Sequence, residues 1–413
     1  MQPLIRPFSG LRPTGQFAAQ VAAPPYDVLT SQEARARAGN APWSFLHISK
    51  AEIDLPSDCD PYSPAVYDKA ADNMAKFLDA GVLRRDAVPC YYVYRLRAGE
   101  HTQTGIVAAG SVEAYRGNRI RRHELTRPAK ENDRVRQIEA VGAQTGPVLV
   151  AHPASADVDA VVTRVTAGVP VADVTLDNVD HTIWVVSRDA EVERITRAFE
   201  AMEAIYIADG HHRSAAAARV AEARSKGEAD FGPDPLHNYF LVVSFPISEV
   251  NILPYNRVVR DLHGLSPSAF LEALKGEFVV EASDKPVQPA RPSEFGVYLD
   301  GGWHRIALRR EPETGASPAE RLDVSLLSER LLAPILGIGD PRTDPRIDFV
   351  GGIRGLGELE RRVDGGDWAV AFSFFATAMD DLVAVADAGQ IMPPKSTWFE
   401  PKLADGLVSL VLE

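Results

Sequence analysis

The stretch Ala204-Ile205-Tyr206-Ile207-Ala208-Asp209-Gly210-His211-His212-Arg213 joins two different patterns. Its first five residues form an apolar run that reads as a short buried strand. Ser214 to Arg224 (SAAAARVAEAR) has the composition of a strong helix former. A strand that runs straight into a helix puts the junction where α/β proteins place their ligands. Asp209 ends the strand and Gly210 permits a tight turn. His211, His212 and Arg213 then fall where the first backbone N–H groups of the helix point outward with the positive end of its dipole, which suits an anion such as phosphate. Two plainer readings stand beside this one. Asp209 could act only as a helix cap with the histidines as surface residues, or the group could be a zinc site, although adjacent histidines point in different directions.

Working outward, strand and helix alternate, and the expected fold class is α/β in a mixed α+β arrangement. Upstream, helices are expected over Pro64–Ala80, Asn132–Gln144, Ala156–Val165 and Ala190–Met202. The runs Pro89–Leu96 and Gln103–Ala109 read as a hairpin turned at Arg97-Ala98-Gly99-Glu100. Residues 3–61 are rich in proline and aromatics and read as extended chain with fixed turns that wraps the domain or lines a cleft. Downstream, His237–Phe245 reads as a strand, Pro267–Glu277 as a helix, Val297–Leu308 as a hairpin turned at Asp300-Gly301-Gly302, Val324–Leu332 as a helix stopped by Pro334, and Ala369–Ala376 as a buried central strand. The proline-rich segment Lys285–Glu294 is the best internal linker. It divides the chain into 1–285, carrying the His-Glu and DGHHR motifs, and 286–413, carrying PPKSTWFEPK.

A chain of 413 residues points to two domains or one large elaborated domain. Its net charge of −13 argues against a general nucleic-acid or anionic-membrane binder. Cys59 and Cys90 form no CxxC pair, so neither a disulfide framework nor a zinc ribbon is indicated. The N-terminus MQPLIRPFSG lacks a signal-peptide core, and the longest apolar run, Ala369 to Met379, is too short to span a bilayer. A cytoplasmic protein with a small-molecule substrate is expected; oligomeric state stays open.

Arg116 to Arg136 holds eight Lys or Arg against three Asp or Glu, +5 in a chain of −13. Such an island focuses an anionic substrate, or is a solvated face laced with ion pairs. Within it His123, Glu124, Thr126, Lys130, Asp133 and Arg134 offer a base, a hydroxyl and cations. Near the C-terminus, Lys395, Ser396 and Thr397 follow a Pro-Pro corner and present one cation and two hydroxyls that can hold phosphoryl oxygens, or else belong to a rigid strap. Pro24-Pro25-Tyr26-Asp27 reads as a tight turn or as part of the site. Gly352 to Gly357 lacks the GxGxxG order, and no GxSxG, HExxH or Walker A sequence occurs.

Taken together, PPYDVL, RHELT followed by KENDR, ADGHHR and MPPKSTWFEPKL resemble the family known as domain of unknown function 1015, over essentially the whole chain. The DGHHR box is also similar to the phosphate-binding box of the ParB/sulfiredoxin-like fold, whose members include free serine kinases. The resemblance therefore implies a ParB/sulfiredoxin-like core with elaborated terminal regions. It implies a phosphotransferase acting on the hydroxyl of a small metabolite, foremost free L-serine, with pyrophosphate, ADP or ATP as donor and Mg²⁺ as cofactor. A phosphate-binding regulatory module and a metal-dependent phosphohydrolase are the alternatives. In the leading reading Gly210, His211, His212 and Arg213 hold donor phosphates, with Lys395, Ser396 and Thr397 completing the cradle. Asp209 holds Mg²⁺ or orients a histidine. Glu124 is the general base, with Asp209 in reserve, and His211 is catalytic. His123, Lys130, Arg134, Tyr26 and Asp27 face the acceptor. The chain departs from the family pattern at Ser214, where a tyrosine is common, and at Ser44, where an asparagine is expected, which leaves donor and acceptor choice open.

Overall fold

The computed structural model describes residues 2–226, 234–313 and 315–413 as a mixed α/β protein. The chain divides into two compact units, Met1–Val250 with Pro401–Glu413, and Asn251–Glu400. This division differs from the boundary expected at 285/286. The proline-rich segment after Lys285 joins two strands of one sheet, and its Val287 is buried with its carbonyl accepting from Ser373 Oγ at 2.6 Å. It is an anchored loop inside the second unit.

The first unit is built on a nine-stranded mixed sheet. Its order across the sheet is Ile120–Arg121, Ile205–Asp209, Val148–His152, Tyr239–Pro246, His101–Ser111, Tyr91–Ala98, Val179–Val186 and Ala172–Leu176, with Ile5–Arg6 added beside His101–Ser111. The expected hairpin forms, with Ala98 opposite His101 and Gly99 in the left-handed region at φ 59°. The central strands are near-continuous Val, Ile, Tyr and Phe because both faces are covered. One face packs Ile195, Phe199, Val158 and Val161 from the helices Asp189–Glu200 and Ala156–Thr166.

Three expectations shift. The helix expected from Asn132 begins at Pro128, where proline's fixed φ suits the first turn, and runs to Val141 before Gly142 turns left-handed. The helix expected from Ser214 already begins at His211, because left-handed Gly210 is its N-cap. The N-terminal region, expected as extended chain, contains the helix Ser31–Ala38, started by a capping box between Thr30 and Glu33.

The second unit carries a six-stranded antiparallel sheet in the order Phe278–Ser283, Gly302–Leu308, Glu294–Leu299, Val370–Phe374, Tyr255–Val259, Ile347–Gly351. All five residues of Val370–Phe374 are buried, as expected for a central strand. Among the described residues, no helix is long and apolar enough to cross a membrane.

Candidate functional site

Sheet topology assembles the site. Ile120–Arg121 runs parallel to Ile205–Tyr206, so the residues that follow both strands emerge at the same sheet edge. Val148–His152 runs antiparallel to the same strand, with Leu149 opposite Asp209, so the turn Thr145-Gly146-Pro147 enters at that edge too. His123, Glu124, Gly146 and the DGHHR segment thus meet although they are distant in sequence.

At the junction, Gly210 has φ 104° and ψ 27°, and a Cβ there would stand 3.3 Å from Val148 Cα. Only glycine adopts this corner without strain. The first helical hydrogen bonds run from Arg213 and Ser214 N–H to the Gly210 carbonyl, at 2.9 and 3.0 Å. The N–H groups of His211 and His212 therefore precede the ladder, where a helix start favours an anion. Ser214 is buried and donates to the His211 carbonyl at 3.0 Å.

Each charged side chain of the box has a partner. Asp209 Oδ2 accepts from Lys402 Nζ at 3.0 Å. Burial raises this carboxyl, but Lys402, Arg213 and His211 outweigh it and hold the group well below the usual carboxylate range. Arg213 donates to the Pro147 carbonyl and lies 3.5 Å from Asp27 Oδ2. Burial lowers its guanidinium, yet Asp27 and Asp209 raise it further, so it is a fixed cation. Arg134 lies 3.7 Å from the centre of the Tyr26 ring, with Arg213 6.0 Å from the same ring. Asp133 ties Arg134 down at 2.7 Å and accepts from Tyr67 at 2.9 Å. Arg134, Tyr26, Arg213, Gly146 and Asp405 line a recess of about 390 Å³, its open mouth included. Burial pushes the Asp405 carboxyl up to about 7, and its Oδ2 has no hydrogen-bond partner among the described residues.

His211 and His123 are both buried, with ring centres 4.5 Å apart at 85°. His211 Nδ1 stands 3.9 Å from Glu124, whose side chain is 41% exposed. Burial lowers both imidazoles, His123 to about 4 and His211 well below its ordinary value with the help of His123. Both are neutral near pH 7. The second histidine of the box does different work: His212 Nε2 accepts from Arg127 N–H at 3.1 Å and pins the loop ahead of the Pro128–Val141 helix.

The remaining expected residues are less central. Lys130 is exposed and donates to Tyr62 at 2.8 Å. The basic island carries ion pairs to other segments, Arg116 on Glu222, Arg119 on Glu200, Arg121 on Glu203 and Glu131 with Arg219, and one within itself, Arg134 on Asp133. Of its two readings, these pairs match the face laced with ion pairs. Lys395, Ser396 and Thr397 belong to the second unit. There the Ser396 hydroxyl is engaged by the Pro393 carbonyl at 2.6 Å, the Lys395 carbonyl caps Arg257 at 2.9 Å, and the Lys395 ammonium lies 5.5 Å from the Tyr255 ring. These contacts anchor that segment within the second unit. Lys402 and Asp405, a few residues further on, belong to the first unit's site. Their signal was the single charges in an otherwise apolar closing segment, which only partner positions make meaningful.

The model of the family described as "Protein of unknown function (DUF1015)" matches residues 5–325. The chain belongs to the DUF1015 family. Among solved structures, this DUF1015 chain is similar to a conserved hypothetical protein from Pyrococcus furiosus, at 13% identity and TM-score 0.34, covering 73% of this chain and 95% of that one. It is similar to a free serine kinase in complex with AMP, at 11% identity and TM-score 0.35, covering 73% and 92%. A third similar structure is SbnI with C-terminal truncation from Staphylococcus aureus, at 13% identity and TM-score 0.35, covering 72% and 85%. No curated protein matches the chain.

Proposed function

We propose that the chain is a phosphotransferase that moves a phosphoryl group from a nucleotide or pyrophosphate to the hydroxyl of a small metabolite, with free L-serine the leading acceptor. The carrying observation is the left-handed Gly210 corner. It aims the first N–H groups of the helix at the sheet edge where Arg213 is held as a permanent cation and the Lys402 ammonium lies 3.0 Å from Asp209. In this reading the DGHHR junction is the phosphate box that the ParB/sulfiredoxin-like resemblance implies. The donor phosphates lie on the His211 and His212 N–H groups and Arg213, which stabilise charge on the moving phosphoryl. Glu124, half-exposed beside neutral His211, takes the hydroxyl proton, with Asp209 in reserve. Tyr26, Asp27, Arg134, Lys130 and His123 are assigned to the acceptor side.

Mg²⁺ is the cofactor implied by this chemistry, and the residues present do not fit it as a protein-held ion. Mg²⁺ wants oxygen ligands in octahedral array, whereas Asp209 already faces Lys402 and Asp27 faces Arg213. In the assay it enters with the donor.

The test is mass-spectrometric detection of O-phospho-L-serine after incubation with L-serine, Mg²⁺ and, separately, pyrophosphate, ADP or ATP. Arg213→Ala should then lower kcat by about 10²–10³-fold. Turnover unchanged in both Asp209→Asn and His211→Ala would sink the reading. The clustering of His123, Glu124 and His211 favours a second reading, metal-dependent phosphohydrolysis. Release of inorganic phosphate without an acceptor identifies it.

A further inference from the structure

We propose that His123, Glu124 and His211 form a binding site for one divalent transition-metal ion with two nitrogen donors and one oxygen. One ligand atom from each lies within 4.8 Å of the others. In an occupied site with bonds of about 2.0–2.2 Å the donor atoms stand about 3–4 Å apart, and His211 Nδ1 to Glu124 is already 3.9 Å. The rings meet edge to face at 85° and so leave space between donor atoms that stacked rings would close.

An independent observation points to the ligand. His123 is 2% exposed, and its Nδ1 has no hydrogen-bond partner among the described residues. That nitrogen is the ring atom open to a ligand. A buried polar nitrogen without a partner is destabilising, and an ion bound there would remove that cost. The backbone N–H of His123 reaches His211 Nε2 at 3.5 Å, and His211 Nδ1 faces Glu124 at 3.9 Å; ligation through Nδ1 therefore moves the ring proton to Nε2 and gives up that long contact.

Two imidazoles and one carboxylate select Zn²⁺, Co²⁺, Fe²⁺ or Ni²⁺ over Mg²⁺. Three protein ligands leave coordination positions for water or an anion, and the start of the His211–Ser225 helix is where such an anion would rest. His212 stands outside the cluster, and its Nε2 accepts from Arg127 N–H. Glu124 bound to the ion is no longer a free base, so its two roles are alternatives for one side chain. Metal content therefore provides the readout.

The test titrates the chelator-treated full chain with Co²⁺, following its visible absorption bands, and measures Zn²⁺ stoichiometry by mass spectrometry. No phosphoryl donor or acceptor is present, so the result stands apart from the phosphotransferase reading. One Zn²⁺ per chain is expected, with Co²⁺ bands that Zn²⁺ abolishes and a tenfold excess of Mg²⁺ leaves intact. Glu124→Gln, a near-isosteric change at a half-exposed side chain, should weaken Co²⁺ binding at least about tenfold, as should His211→Asn, whereas His212→Asn should not. Absence of Co²⁺ bands, equal displacement by Mg²⁺, or undiminished binding in Glu124→Gln overturns the proposal. Should His211→Asn fail to fold, Glu124→Gln decides the matter alone.

Discussion

Gly210 and Asp405 show how single positions set the site. At Gly210 a side chain meets two penalties, a φ of 104° and a Cβ 3.3 Å from Val148. Gly210→Ala should destabilise the first unit by about 1–3 kcal/mol, read as a lower denaturant midpoint with an unchanged slope. Asp405 sets a pH dependence. Its carboxyl is raised to about 7 by burial, so between its unfolded value and 7 the native state binds the proton and the unfolded chain does not. Its contribution is fully present below about pH 4 and is lost as the pH rises through 7. Asp405→Asn should flatten that part of the stability profile and gain relative to wild type above pH 7, as checked by denaturant unfolding at a series of pH values. An unaltered profile would mean that Asp405 is ionised throughout. The box was legible in the sequence as a charged turn; the partners of Asp209 and Arg213, at 402, 147 and 27, were not.

The helix His211–Ser225 is alanine-rich because it is covered on two sides. Ala217, Ala218 and Ala221 pack into the sheet's core, while Ala216 and Val220 meet Ile138 of the Pro128–Val141 helix and Leu412 of the closing segment. Small side chains let both neighbours approach closely. Ala217→Leu, at a position 1% exposed, should cost about 1–3 kcal/mol by overpacking, visible as a lower thermal midpoint. A neutral result would mean that the helix can shift, and with it the N–H groups that face the site. The helix itself was legible from composition. The expected cap is Asp209, and the structure makes left-handed Gly210 the N-cap.

At the scale of the whole molecule, the second unit enters and leaves the chain at neighbouring points. Glu400 N–H bonds the Asn251 carbonyl at 3.2 Å, and Ile252–Leu253 pairs with Trp398–Phe399. Its core of Val258, Val287, Tyr298, Trp303, Val350, Leu359 and Ala371 is its own. Residues 251–400 expressed alone should therefore unfold in one cooperative denaturant transition and give a structured near-UV circular dichroism spectrum. A non-cooperative transition would show that this core is incomplete without the rest of the chain. The first unit, conversely, is discontinuous. Its closing segment buries Leu403, Leu407, Leu410 and Leu412, and pairs Leu410–Val411 with Ala143–Gln144.

The sequence by itself determined the mixed α/β class, most of the individual elements, the strand-to-helix junction at Asp209–Arg213 and membership of the DUF1015 family. These rest on local periodicity, turn chemistry and motif wording, which short windows of residues carry. Only the tertiary structure decided that His123 and Glu124 lie against His211, that Lys402 meets Asp209, and that the proline-rich segment at 285–294 is a loop within a sheet. The reason is that strand order and pairing direction are non-local. One parallel pairing, Ile205 beside Ile120, brings together His123 and His211, 88 positions apart, and neither segment contains anything that names the other.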